Sequence, residues 1–453
     1  MKSNNAKLTQ GKPSKAIISM MVPMVIGLIV MIGNGLVDAY FIGKLGYIQL
    51  AAVSYAFPVW FIVSGVVMGL GVGTSSLVAR AIGSDDKKTV KEIATHSMIL
   101  AVVSGSLLTF AGLSSIDFIF GLLGANEETM PYVREYMEVY FWGALFLAVP
   151  MIGNSVLRAS GDAKTPSLLM ASSAIINAIL DPILIFGWFG APALGVQGAA
   201  LASVVANIMF LIASLSVLIF RDGLIQFRNQ TIAAILYSWK KILHVGLPAI
   251  ASNLIAPLSS ALVTALVSSY GQAAVAAFGL AGRIEAFMIV IFMALGGAVA
   301  PYVGQNFGAK RFDRLTDGFK FCARLSLFYA IFCIIVFYAF SGPLLSFFTQ
   351  EPEVIRIAKL QLTYTPWGYG FLGLVALCNG SFNAFGKPIP AMTISISRTL
   401  LIYVPMAYFL ASIFGIKGVF IGQVISNILA AIVGVIWYKI IFRKLQSTAE
   451  NTG

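Results

Sequence analysis

The chain has 453 residues, of which 58% are hydrophobic and 11% charged, and its mean hydropathy is +0.89. A soluble chain carries about 25% charged residues, so the composition excludes a cytosolic enzyme, a disordered protein and a nucleic-acid binder. On a membrane protein, the net charge of +12 is expected to reflect orientation, because cytoplasmic loops collect Lys and Arg. Cys322, Cys333 and Cys378 lie in apolar runs and are predicted to be buried thiols.

Twelve apolar runs are long enough to cross a bilayer as helices, which takes about 20 residues. Transmembrane β-strands are about ten residues long and alternate in polarity, so these continuous runs predict helices. The first run exceeds the apolar core of a signal peptide and is predicted to be retained as a helix. In chain order the runs are 16–43, 50–82, 93–118, 130–158, 166–189, 194–220, 237–269, 274–307, 318–342, 353–384, 388–414 and 417–443.

Basic residues predict the orientation. With the N-terminus in the cytoplasm, 23 of the 30 Lys and Arg residues fall on the cytoplasmic side and five on the other. Only Arg283 and Arg398 lie within spans. The distribution predicts that both termini are cytoplasmic.

The sequence contains an internal duplication. Because each half has six spans, both halves enter the membrane from the same side. The fold is therefore predicted to be all-α, with two six-helix lobes related by a pseudo-two-fold axis along the membrane normal. The lobes are predicted at 1–220 and 241–453, with a cytoplasmic linker at 221–240. Matched pairs are Pro23 with Pro248 and Asn154 with Asn379 under a shift of 225 residues, and Gly195–Gly198 with Gly415–Gly418 under a shift of 220.

Three acids lie within spans: Asp38, Asp181 and Glu285. A charge at membrane depth costs at least roughly 2.5–3.5 kcal/mol, so such residues are functional candidates. Asn34 and Asn177 each precede an aspartate by four residues and share its helix face. Asp38, Asn177 and Asp181 supply oxygens for Na⁺ or carboxyls for a proton. A structural hydrogen-bond network is the alternative.

The second lobe differs in its embedded charges. Val263 stands where the first lobe has Asp38, so ion coupling is expected in the first lobe. Arg283, Glu285 and Arg398 are interpreted as a structural group in which Glu285 pairs with Arg398, with a role in coupling as the alternative. His96 and His244 are predicted to lie on the surface near cytoplasmic helix ends.

The sequence contains no GxxxxGK[ST] segment, no zinc-ligand spacing and no nucleophile elbow. An ATP-driven pump with a P-loop is excluded on this ground. We expect a protein that is not an enzyme and needs no cofactor beyond a coupling ion.

Several motifs together resemble the multidrug and toxic compound extrusion (MATE) family, and most closely its DinF-like branch. The resemblance implies that Asp38, Asn177 and Asp181 are the coupling residues. It also implies that Tyr136 and Asn154 line the same cavity, and it makes Ser203 the nearest candidate for a hydroxyl of the sixth helix. The NorM-like branch has an acid in the tenth helix, which this chain lacks. The motifs are Val37–Gly46, Gly69–Ser75, Ala79–Gly83, Asn177–Pro182, Gly195–Ala200 and Gly282–Glu285.

The implied function is alternating-access antiport. A proton, or Na⁺ as the alternative or as a second ion, enters and an organic or amphiphilic cation leaves. The resemblance implies a monomer in the prokaryotic plasma membrane. Two other functions stay open: a lipid-linked precursor flippase, which needs a cationic cavity, and a major-facilitator symporter, whose GxxxDR loop is absent at Gly83–Lys88.

Overall fold

A computed structural model describes residues 7–226 and 230–451, which are almost entirely helical. Short 3-10 or π-helical turns join several of the helices. The α-helices in chain order are α1 (Pro13–Gly43), α2 (Tyr47–Ser54), α3 (Ala56–Gly83), α4 (Lys87–Leu122), α5 (Met130–Ala159), α6 (Lys164–Phe186), α7 (Gly195–Ser216), α8 (Ile232–Ser268), α9 (Gln272–Gly308), α10 (Phe312–Phe348), α11 (Pro352–Tyr364), α12 (Tyr369–Ala384), α13 (Pro388–Ile396), α14 (Tyr403–Phe414) and α15 (Ile416–Asn451).

Eleven continuous helical stretches in the described residues are long and apolar enough to cross a membrane. Helices α2 and α3 form one of them, and α13 and α14 form another through a π-helical turn at Ser397–Ile402. The predicted span 353–384 is helical over Pro352–Ala384, but a 3-10 turn at Thr365–Gly368 interrupts its α-helical hydrogen bonding, and we call this interruption the break. Pro366 lies in the turn and lacks a backbone donor. The predicted twelve-helix membrane fold is confirmed, with one helix containing this break.

The first compact unit contains Val22–Ile250. Its core joins buried side chains of α3, α4 and α5, among them Val67, Ala101 and Ile152. Helix α3 approaches the first half of α8 closely at Gly73, where an added Cβ would lie 3.1 Å from the backbone nitrogen of Gly246. Small residues allow this backbone approach, as is common between membrane helices.

The second unit contains Leu8–Met21 and Ala251–Gly453. Its buried core includes Phe292, Phe337, Tyr369 and Phe420 from four different helices. The three cysteines lie in this unit and are buried and free, as predicted.

The N-terminal turn docks on the second unit through Arg314, whose side chain is buried. The guanidinium donates to the carbonyl oxygens of Leu8 at 3.1 Å, Gln10 at 3.2 Å and Gly11 at 2.5 Å. It also donates to Asn306 Oδ1 at 2.9 Å. Arg314 therefore holds the backbone that precedes α1, and Gln305 and Asn306 add hydrogen bonds to Leu8 at 3.1 and 3.2 Å.

The two units divide inside helices rather than in the linker at 221–240. The divisions fall between Met21 and Val22 in α1, and between Ile250 and Ala251 in α8. The start of each repeat thus packs with the unit that contains most of the other repeat. The predicted lobe boundaries at 220 and 241 differ from this division, because sequence alone does not show where a long helix changes its neighbours.

The prediction that His96 lies on the surface is wrong. His96 is fully buried in the first unit. Its ring nitrogens contact Ser238 Oγ at 2.8 Å and Gln230 Oε1 at 2.6 Å, and its carbonyl accepts from the Trp239 indole at 2.9 Å. Gln230, just before α8, and Ser238 and Trp239, in its first turns, cover the ring. His244 is exposed, as predicted.

Candidate functional site

Two acids of the first unit lie close together, each five residues before the end of its helix. Asp38 on α1 is half-buried, and Asp181 on α6 is completely buried. Pro182 follows Asp181 and leaves the carbonyl of Ala178 without its helical donor. The two carboxyl groups lie within hydrogen-bonding distance of each other. The helix-face argument from sequence placed each acid beside an asparagine, and the fold adds this carboxyl–carboxyl contact.

Asn177 stands at the centre of the group. Its side-chain amide lies 2.8 Å from the Asn34 amide, 2.9 Å from Asp38 Oδ1 and 3.3 Å from Asp181 Oδ1. The amide nitrogen is assigned toward Asp38, because its oxygen then accepts from the hydroxyl and the backbone nitrogen of Ser203, both at 3.2 Å. The structure therefore brings five residues from α1, α6 and α7 into one polar cluster, which we call the first-unit acid cluster: Asn34, Asp38, Asn177, Asp181 and Ser203.

The contact between the two acids favours a shared proton. An ionised carboxylate only accepts hydrogen bonds, so a hydrogen bond between two carboxyl groups needs a proton on one of them. Asp181 Oδ2 is buried and has no hydrogen-bond partner among the described residues. Loss of the shared proton leaves two like charges close together.

An apolar cluster adjoins the acid cluster on the side predicted to face outward. Ile42 and Ile185 follow Asp38 and Asp181 by one helical turn each, and they pack together with Ala199. All three side chains are buried. The acids therefore have buried apolar side chains one helical turn away, toward the ends of α1 and α6.

Tyr136 lies near both acids, whereas Asn154 does not. Tyr136 packs beside the apolar cluster of Ile42 and is close to Asp38 and Asp181. Asn154 lies 18 residues further along α5, about 27 Å away along the helix axis. It is buried and its amide oxygen has no partner among the described residues. The expectation that these two residues line one cavity stays a prediction.

The predicted ion pair between Glu285 and Arg398 is not formed in the described structure. Both oxygens of the buried Glu285 are bonded: Thr365 Oγ1 donates to one, and Gln361 Nε2 donates to the other at 3.1 Å. Arg398 instead donates to Asn427 Oδ1 at 3.0 Å. The reason is the break between α11 and α12, which points neutral donors at Glu285.

Sequence reasoning missed the partners of Glu285. Gln361 lies in the last turn of α11, Thr365 begins the 3-10 turn one helical turn later, and both side chains are buried. The segment Thr365–Gly368 has a proline and a glycine inside an apolar run, and this pattern could have predicted an irregular turn in the helix. Arg283, the third residue of the predicted group, is exposed.

The acid cluster can do two kinds of chemistry. It can hold and release a proton between Asp38 and Asp181, as described above. Asp38, Asn177 and Asp181 also provide the carboxylate and amide oxygens that a hard cation prefers, so their donor set fits Na⁺. Neither process requires a reactive nucleophile.

Comparison with known proteins gives a consistent picture. The family model MatE matches residues 23–183 and 248–409. A FAD transporter of Shewanella oneidensis is 32% identical over 438 residues, covering 97% of each chain. The probable multidrug resistance protein YoeA of Bacillus subtilis is 28% identical, covering 97% of this chain and 96% of its own.

Solved structures agree with this. The bent form of the Vibrio cholerae MATE transporter VcmN superposes with a TM-score of 0.90 at 31% identity, covering 96% of this chain and 98% of that chain. A MOP superfamily transporter from Pyrococcus furiosus gives a TM-score of 0.89 at 29% identity, covering 98% and 99%. Both match nearly the whole length of the fold. The chain therefore belongs to the MATE family of membrane transporters, whose model matches both of its repeats.

Proposed function

We propose that this transporter exports organic or amphiphilic cations in exchange for protons, and that the acid cluster of the first unit carries the coupling proton. The contact between the Asp38 and Asp181 carboxyls is the observation that supports this most strongly. A single proton stabilises this contact, and its loss places repelling charges beside the buried apolar side chains of Ile42 and Ile185. The presence or absence of the proton therefore favours different arrangements of α1 and α6.

Sodium is the alternative coupling ion, held by Asp38, Asn177 and Asp181. The substrate class rests on the embedded acids and on relatives such as YoeA, whose name describes multidrug resistance. Membership of the DinF-like branch, a monomeric state, the prokaryotic plasma membrane and cytoplasmic termini also belong to this proposal. The positive-inside distribution supports the orientation.

Inverted vesicles with imposed proton or sodium gradients test the coupling. We expect proton-driven efflux of a fluorescent cation by the wild type, and its loss in both Asp38→Asn and Asp181→Asn. Glu285→Gln is the matched control, because it neutralises a buried acid of the second unit. Full gradient-driven efflux in both aspartate variants would overturn the proposal, and efflux driven only by sodium would replace the proton.

A second candidate function is export of a flavin dinucleotide. The full-length similarity to a protein named FAD transporter favours it. Uptake of FAD into the same inverted vesicles tests it directly. Accumulation of FAD that requires the gradient supports this candidate, and accumulation of cations alone contradicts it.

A further inference from the structure

An arginine in the second unit has no acidic partner. Arg398 lies ten residues into the span Pro388–Phe414, about 15 Å from its start and thus near mid-membrane. Its only hydrogen bond in the described residues goes to the neutral amide of Asn427. Its Nε is buried and has no acceptor. An uncompensated cation at this depth is costly, so it indicates a function rather than a packing role.

The backbone around Arg398 is unusual. It lies in the π-helical turn Ser397–Ile402 that separates α13 from α14. A neighbouring helix stabilises this turn, because the hydroxyl of Ser259 on α8 donates to the Thr399 carbonyl. Such π-helical insertions occur frequently at functional sites.

The arginine lies beside the broken helix. Helix α15, which carries Asn427, packs against the turn Thr365–Gly368. A Cβ added to Gly368 would lie 2.9 Å from Asn427 Nδ2, so the glycine keeps this approach open. A 3-10 stretch in the middle of a helix often marks a functional hinge. Glu285 also faces this turn, with both of its oxygens bonded to neutral donors.

The duplication places Arg398 on the span that corresponds to α6, which carries Asp181 in the first repeat. Asn427 corresponds to Asn207 on α7 under the 220-residue shift. The corresponding spans of the two repeats therefore carry opposite charges.

We propose that Arg398 and Asn427 form a subsite for an oxyanion, such as a phosphate or carboxylate, of the transported molecule. Guanidinium groups bind such oxyanions through directed, charge-assisted hydrogen bonds. The headgroup phosphates of annular lipids lie at the membrane surface, about 15 Å from this depth. The inference rests on the proposed export function and extends its substrates to molecules that carry a negative group.

Flavins provide a matched pair of probes, because riboflavin and flavin mononucleotide share a fluorescent ring and differ by one phosphate. We expect purified full-length protein to bind the mononucleotide more tightly. Arg398→Gln should weaken this binding roughly 10- to 100-fold, as expected for loss of a charged hydrogen bond, and leave riboflavin binding unchanged. Arg283→Gln removes an exposed arginine of the same unit and should change neither.

Two results would overturn the subsite. The first is an equal effect of Arg398→Gln on the binding of both flavins. The second is that Arg398→Gln loses co-purified lipid phosphorus but still binds the mononucleotide more tightly than riboflavin, which would assign the oxyanion to a lipid headgroup. Arg398→Lys keeps the charge and replaces Arg398→Gln as the test variant if that variant fails to fold. It should retain part of the preference for the mononucleotide over riboflavin. Binding is measured without an ion gradient, so the result can still be interpreted if the antiport proposal fails.

Discussion

Arg314 should control the docking of the N-terminal turn on the second unit. Replacement by methionine keeps a long apolar side chain and removes every hydrogen bond of the guanidinium. The carbonyls of Leu8, Gln10 and Gly11 then lose their charged donor. We expect this segment to detach while α9 and α10 stay folded, because their own packing is extensive.

The contacts give the size of the effect. Nη1 donates to the carbonyl of Gly11, and Nη2, which carries two N–H hydrogens, donates to those of Leu8 and Gln10, so three charged hydrogen bonds are lost. A hydrogen bond to a charged group contributes about 1.5–3 kcal/mol. At the lower end of this range the loss is about 4–5 kcal/mol, which raises the population of the released segment about 1,000- to 5,000-fold.

Limited trypsin digestion measures this population through cleavage after Lys7, whose side chain is exposed and whose next residue, Leu8, is held by Arg314. Cleavage of Arg314→Met should be faster by a similar factor when opening is rapid relative to cutting. Arg311→Met is the control, because Arg311 lies three residues earlier and pairs only with the exposed Asp313. Equal cleavage rates in the two variants would refute the reasoning.

Three further predictions concern stability. Gly198→Ala and Gly418→Ala, at matched repeat positions, should each destabilise the protein by about 1–3 kcal/mol, because the new Cβ meets a backbone carbonyl, and a thermal melt in detergent measures this. His96→Ala should speed hydrogen exchange at the start of α8, since two side-chain partners there are lost. Hydrogen bonds from the side chain and backbone of Thr89 lower the pKa of Asp86, which caps α4. Its contribution is thus complete above the unfolded pKa and is lost as pH falls through the lowered pKa, so Asp86→Ala should cost about 1 kcal/mol at pH 7 and progressively less as the pH falls below the unfolded pKa.

Controls exist for each of these. Gly279→Ala adds a methyl group in open space on α9 and should leave the melting temperature unchanged or raised. Hydrogen exchange at α12 should be unaffected by His96→Ala, because α12 belongs to the other unit. A pH-independent effect of Asp86→Ala would contradict the charge-based cap.

Within single helices, sequence periodicity predicted the site well. The four-residue spacing of Asn34 and Asp38, and of Asn177 and Asp181, requires a shared face in any helix. The repeat register and the length of the apolar runs predicted the number of spans in the same way. These features depend on local geometry, which the sequence determines directly.

Contacts between helices were predicted less well, and the reason is physical. Periodicity shows which face is polar, but not which neighbour covers that face. Glu285 was therefore assigned to Arg398, although the broken helix brings Thr365 and Gln361 to it. His96 was assigned to the surface for the same reason, since its cover comes from residues more than 130 positions away.

The composition of α11 also constrains how the protein is made. With the 3-10 turn, α11 and α12 form one helical stretch over Pro352–Ala384. Glu353, Arg356 and Lys359 lie in α11, so this half partitions poorly into lipid by itself. We expect the stretch to enter the membrane after α9 has been synthesised, when Glu285 can accept hydrogen bonds from Gln361 and Thr365. Insertion of this part of the second unit therefore depends on helices that are made earlier.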